Sequence, residues 1–236
     1  MRRPRFASLA LVAAVAAMFA LIAACNGGDE ESNIDVSEVD AAVLLEGAAT
    51  RIESLETFHF DLDFSGGAAN ILGGINMREA EGDFAGIDNF QAKLSASVGP
   101  INADLEVRNV DGEGWITNPL TGRWEQEDIS VGEVFDISSG VTALMRSVQD
   151  PTVVRAERVD GVDTYRVEAQ LLSDELTLIP GARGGETLEA VAWIGVDDTL
   201  VRRIEVSGHL FDANESGTVS VRLSRFDEPI TIEAPR

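Results

Sequence analysis

The chain has 236 residues, 44% of them hydrophobic and 25% charged, a balance that fits a folded chain rather than a disordered one. Its 41 acidic side chains outnumber 18 basic ones, a formal −23, and that surface repels phosphate backbones, which argues against a nucleic-acid partner. A single cysteine, Cys25, excludes a disulfide within the chain.

The amino terminus has the three parts of an export signal. MRRPR is basic, FASLALVAAVAAMFALI is apolar with no helix-stopping residue, and Ala23-Ala24 places small side chains before Cys25. The apolar run from Phe6 to Ala24 approaches the length of a membrane span. Its alanine content and the lack of a basic stop-transfer cluster favour a cleaved signal over residues 1–24. Ile22-Ala23-Ala24-Cys25 resembles the lipobox of bacterial lipoproteins. That resemblance implies lipidation of the Cys25 thiol, cleavage just before it and acylation of the new amino terminus. The mature protein is then held to the outer, extracytoplasmic face of the cell membrane by its acyl chains, each buried methylene contributing about 0.8 kcal/mol. Cleavage removes three arginines and no acid, leaving 15 basic and 41 acidic side chains, a formal −26. Attachment therefore rests on the acyl group and not on side-chain charge. Residues 25–34 read as a lipidated flexible tether, polar and acidic with two glycines, and residues 35–236 as a single α+β domain long enough for a substantial core.

After the tether, Asp35 or Ser37 is expected to cap a helix whose apolar face carries Ala41, Leu45, Ala48, Ile52 and Leu55. Around Thr57 the period changes from about four to two. Phe58, Phe60, Leu62 and Phe64 alternate with His59, Asp61, Asp63 and Ser65, so the helix leads directly into a strand. The glycines of FSGGAANILGGI read as turns and sheet curvature. Leu94, Ala96 and Val98 lead to a Gly99-Pro100 turn, and Ile101, Ala103, Leu105 and Val107 follow with the same alternation. A second helix is expected around VGEVFDISSGVTALMRSVQD, where Ile137, Val141, Leu144, Met145 and Val148 share a face. Two further hairpins fold back at Asp160-Gly161 and near Asp197-Asp198, and GTVSVRLSRF supplies a last strand. One polar face per strand means antiparallel sheet with one wet side. The economical architecture is a broad antiparallel sheet with helices on its apolar face; whether its first and last strands meet in a barrel is left open by the pattern.

No catalytic constellation emerges. His59 and His209 lie outside any metal-ligand spacing and read as solvated residues on strands. There is no GxSxG elbow, and no GKS or GKT follows the glycines to make a phosphate loop. DANESG and DGVDTY put acids in turns without the twelve-residue calcium loop. The chain is read as a non-enzyme without cofactor or metal, although a spatial cluster of distant carboxylates would escape this reading.

In order along the chain come the lipobox, a helix running into FHFDLDF, AEGDF, the DGEGWITNPLTGRWEQ hairpin, a middle helix, the WIGVDDTLVRRIEV pair and VSVRLSRFDEPITIEAP. Together they resemble the LppX/LprA/LprF/LprG family of actinobacterial cell-envelope lipoproteins. The resemblance implies a curved antiparallel half-barrel sheet packed against helices, similar to the LolA and LolB carriers, enclosing an apolar cavity for lipids or acylated glycolipids. It also implies carriage of such molecules through the envelope, with an envelope transport protein as a further partner. By segment, Ile137, Val141, Leu144, Met145 and Val148 would cover the cavity. Phe58, Phe60, Leu62, Phe64, Leu94, Ala96, Val98, Tyr165, Val167 and Ala169 would form its floor. The competing reading is a non-catalytic envelope interaction or assembly module in which the same residues make a solid core. A hydrolase using dispersed acids has the least support.

Overall fold

Helix α1 (Ala41–Glu53) starts where Asp40, in extended backbone, turns its carboxylate onto the amides of Ala42 and Val43 at 2.9 and 3.1 Å. This cap lies several residues beyond the expected Asp35 or Ser37; the Asp35 carboxylate instead accepts from the Ser37 amide in a local turn. The buried stripe of α1 is Ala41, Leu45, Ala48, Ala49 and Ile52. The computed structural model describes residues 30–71, 74–86, 88–127, 137–176 and 182–236. Cys25 and the segment before it lie outside the described residues, as do the side chain of Ile137 and residues 26–29 of the tether. Residues 31–236 form one compact unit.

A short β1 (Glu30–Ser32) precedes α1, and β2 (Phe58–Ser65), β3 (Ala69–Ile71), β4 (Ile75–Phe84) and β5 (Phe90–Val98) follow it. The chain continues through β6 (Ile101–Val110), β7 (Glu113–Thr117) and β8 (Trp124–Glu127) to helix α2 (Ile137–Ser147). Then come β9 (Gln149–Val159), β10 (Val162–Leu172), a 3-10 turn, β11 (Thr187–Gly195), β12 (Val201–Gly208) and β13 (Gly217–Ser224). All join one curved sheet in the order β1-β9-β10-β11-β12-β13-β2-β4-β5-β6-β7-β8, with β3 on β4. The order runs from β1 to β8 without closing, so the described strands make an open sheet. The last strand, β13, sits between β12 and β2 and stitches the two halves together, with Leu223 opposite Phe60 and Val219 opposite Phe64.

Local chemistry explains the turns. Asp111-Gly112 and Asp160-Gly161 both take positive φ at both residues, the two-residue turn whose twist matches its strands. Gly82, in AEGDF, faces Phe60 across the ladder: a Cβ there would lie 2.8 Å from the Phe60 ring and 2.1 Å from the Gln91 carbonyl. The aromatic row beside it places Phe58 opposite Phe84 and Phe84 opposite Phe90. The Phe58 and Phe84 rings stack at 4.8 Å between centroids. Phe58, Phe60 and Phe90 are buried with Leu94, Leu105 and Val107 on the same sheet face, against which the stripes of α1 and α2 also pack.

Candidate functional site

Helices α1 and α2 pack together over strands β10 to β12 and leave an apolar pocket beneath them. Its roof is Leu45 from α1 with Leu144 and Met145 from α2 and Val148 just past it. Its floor is Val167 and Ala169 on β10, Ala190 and Ala192 on β11, and Ile204 on β12. The register makes the floor low: Ala169 pairs with Ala190, Val167 with Ala192, and Ala192 with Ile204, so small side chains fall under the helices. The space within it is about 20 Å³, room for a single water, so the pocket is almost filled by its own side chains.

The other residues expected at a cavity divide by position. Val141 is buried in the core beside this pocket, and Val148 and Leu144 are half-buried in its roof. Phe58, Phe60, Phe64, Leu94 and Ala96 are buried in the core, and Leu62 packs half-buried against it, but none of them lines the pocket. Val98 and Tyr165 are half-buried and also lie off it. The floor comes instead from β10, β11 and β12, where the expected Val167 and Ala169 are joined by Ala190, Ala192 and Ile204.

Arg146, between two roof residues, reaches across to α1. Its Nε and Nη2 donate to Glu46 at 3.1 Å each, and its Nη1 and Nη2 donate to Glu53 at 2.6 and 3.2 Å. The hydrogen bond from Arg146 holds the Glu53 carboxyl below its ordinary pKa. A signal for this was present in the sequence: Glu46 and Glu53 are seven residues apart, two turns along one face of α1.

The opposite sheet face is wet and charged. A groove of about 800 Å³ there is lined by Asp61, Asp63, Glu79, Glu81, Asp104 and Glu205, with Lys93, Arg203 and Arg222, and also by Leu62 and Leu94, both expected at a cavity. It is larger than the apolar pocket, yet an acyl chain placed in it would have to displace water from charged groups. Next to it His59, expected as a solvated residue, is half-buried, its Nδ1 2.8 Å from Asp83. Asp83 also accepts from Gln91 at 2.9 Å and Arg225 at 3.1 Å. Burial alone would push the Asp83 carboxyl up; the hydrogen bonds from Gln91 and His59 and the charge of Arg225 together bring it below its usual value. Further along this face the Trp193 indole N–H donates to buried Glu157, which Arg155 contacts at 2.5 Å, and the guanidiniums of Arg166 and Arg203 sit over the Trp193 ring. Burial raises the Glu157 carboxyl, and the Trp193 and Arg155 hydrogen bonds overcome it and lower its pKa. In the acidic DANESG turn, Asp212 is occupied by the Asn214 amide at 2.7 Å. Among the described residues, no group of three His, Cys, Asp or Glu side chains is placed to hold a metal ion.

A curved antiparallel sheet, two helices on one face and an apolar pocket between them define an α+β fold. Residues 40–232 match the LppX_LprAFG lipoprotein family, and the chain belongs to it. The family is one of cell-envelope lipoproteins. One relative is the lipoarabinomannan carrier protein LprG of Mycolicibacterium smegmatis, 23% identical over 242 residues, covering 99% of this chain and 98% of that protein. Another is lipoprotein LprA of Mycobacterium tuberculosis, 22% identical over 255 residues and covering the whole of both chains. The fold is that of the crystal structure of LprF from Mycobacterium bovis, with a TM-score of 0.64 at 18% identity, covering 83% of this chain and 96% of that one. LppX of Mycobacterium tuberculosis gives a TM-score of 0.59 at 21% identity, over 83% of this chain and all of that one.

Proposed function

We propose that the mature protein begins at Cys25, is acylated there, and holds residues 35–236 at the extracytoplasmic face of the membrane. There it binds the acyl chains of a lipid or acylated glycolipid between sheet and helices and carries them through the envelope. The observation that carries this reading is the apolar pocket of Leu45, Leu144, Met145, Val148 and the alanine floor, roofed by helices with no strand pairing to hold them down. A chain of about fifteen methylenes moved from water to such a site gains on the order of 12 kcal/mol before the costs of opening and ordering. The head group stays outside, since among the described residues no charged side chain lines the pocket. The kinship with a lipoarabinomannan carrier supports a glycosylated lipid as one cargo.

The small volume of about 20 Å³ favours a second reading, an envelope interaction module with a solid core. Native mass spectrometry of the Cys25→Ser protein, purified from a lipid-containing host, separates the two. A lipid retained at fixed stoichiometry and released on unfolding is the expected result. A bare protein that also takes up no lipid from vesicles leaves the solid-core module.

A further inference from the structure

The helix pair over the pocket is joined by a polar contact of unusual concentration. Leu144, Met145 and Val148 point into the roof, while Arg146, on the same turn, points along the outside to α1. Its partner Glu46 directly follows roof residue Leu45. Among the described residues no other ion pair joins α1 to α2; the remaining α1 cation, Arg51, turns to Asp227 instead. One guanidinium thus spans two carboxylates spaced roughly 10 Å along α1, clamping the two helices at the end of α2 that covers the pocket. Below the clamp the roof packs on the small side chains of the alanine floor, with space left for about one water. The clamp itself stands in solvent, with Arg146, Glu46 and Glu53 side chains 40%, 60% and 46% exposed.

We propose that Arg146 is a latch: its contacts to Glu46 and Glu53 hold the acyl pocket shut, and lipid uptake waits on their rupture. This rests on the lipid-carrier reading and adds to it the step that controls loading. On the sheet side the helices are held by apolar packing; on the outer side they are held by charge. Opening therefore costs more at low ionic strength than at high, because exposed ion pairs are screened by salt while apolar burial is not. An acyl chain that spreads the helices replaces the lost roof-to-floor contacts with its own, but supplies nothing to the guanidinium or the carboxylates. The latch thus slows loading and also weakens the affinity of the pocket for the chain, since the broken ion pairs are recovered only when the chain leaves.

The test uses the mature acylated protein reconstituted in phosphatidylcholine vesicles and follows uptake of pyrene-labelled phosphatidylcholine from donor vesicles of the same zwitterionic composition. Neutral vesicles keep salt from acting on an attraction between protein and membrane. Wild-type uptake should quicken as salt rises. Arg146→Gln and the double variant Glu46→Gln/Glu53→Gln should both take up lipid about three- to tenfold faster at low salt, the scale of losing exposed ion pairs, with no remaining salt dependence and a correspondingly higher end point. Arg146→Lys keeps the charge but cannot chelate both carboxylates, and should fall between; it also stands in if Arg146→Gln does not fold. Wild-type uptake with all three variants matching its rate and its salt dependence overturns the latch and leaves the carrier reading intact. No uptake by folded wild type or by any variant overturns both.

Discussion

The alanine floor offers a sharp test because adding bulk there should have different consequences from adding it elsewhere in the core. Ala190 lines the pocket, opposite Ala169 and Val206, whereas Ala96 is buried on β5 between Ala103 and Met77, away from it. Replacing either with leucine adds three carbons, more than the space of about 20 Å³ next to Ala190 can take in the closed state. Both changes should overpack the sheet-helix layer by about 1 to 3 kcal/mol, lowering Tm by roughly 2 to 12 °C for a chain of this size. Only Ala190→Leu also occupies the volume meant for cargo. Three carbons displacing about three methylenes of an acyl chain forfeit about 2.4 kcal/mol, roughly fiftyfold in affinity. Equilibrium binding of a fluorescent lipid, alongside thermal melts of both variants, reads the two effects separately. Equal weakening by Ala190→Leu and Ala96→Leu, or a destabilised Ala190→Leu that binds as wild type does, would refute the placement of the cargo under the helices.

Cys25→Ser should move the protein from the membrane to the soluble extracytoplasmic fraction, and an unmodified Cys25 thiol in the mature wild-type protein would contradict anchoring there. Asp83 has a lowered pKa in the folded state, so its contribution is complete above the unfolded value of about 3.9 and is lost as pH falls through the folded value. Asp83→Asn should therefore lower Tm at neutral pH and flatten the loss of Tm below about pH 4; an acid limb as steep as that of wild type would show that the cluster is not responsible. Trp193→Phe keeps a ring between Arg166 and Arg203 but deletes the donor to Glu157, which should cost roughly 1 to 3 kcal/mol in urea unfolding. A midpoint unchanged from wild type would mean that Arg155 alone satisfies the buried carboxylate.

Periodicity located the elements well because each strand has one dry face. The change of period at Thr57, the Gly99-Pro100 and Asp160-Gly161 turns and the pairing of 187–195 with 201–208 follow from side-chain alternation and turn chemistry alone. The cap of α1 was displaced because Asp35, Ser37 and Asp40 are all able to cap, and only the packing of Ala41 and Leu45 decides among them. Strand β4 was seen only as AEGDF, since its run INMREAEGDF alternates imperfectly and is bulged near Met77. The pocket was half legible. Alternation says which face of a strand is dry, not which stretch of that face lies under a helix. Phe58, Phe60 and Ala96 therefore looked equivalent to Val167 and Ala169 until the register set them at different places along the sheet. Arg146 and the Asp83 cluster join residues roughly 90 to 140 positions apart, and no local pattern encodes such a meeting.

The open sheet leaves two rims, and each is defended in its own way. Strand β8 is only four residues long and exposes Glu125, Gln126 and Glu127, so a second strand sliding alongside would meet carboxylates. At the other rim the short β1 occupies part of β9, and Pro151 within β9 lacks an amide to offer. Proteins confined to a surface collide far more often, and in fewer orientations, than the same molecules free in bulk. A sheet this broad with bare rims would invite neighbouring copies to zip edge to edge into aggregates. Its guarded rims suit a molecule built to live crowded in two dimensions and still remain separate.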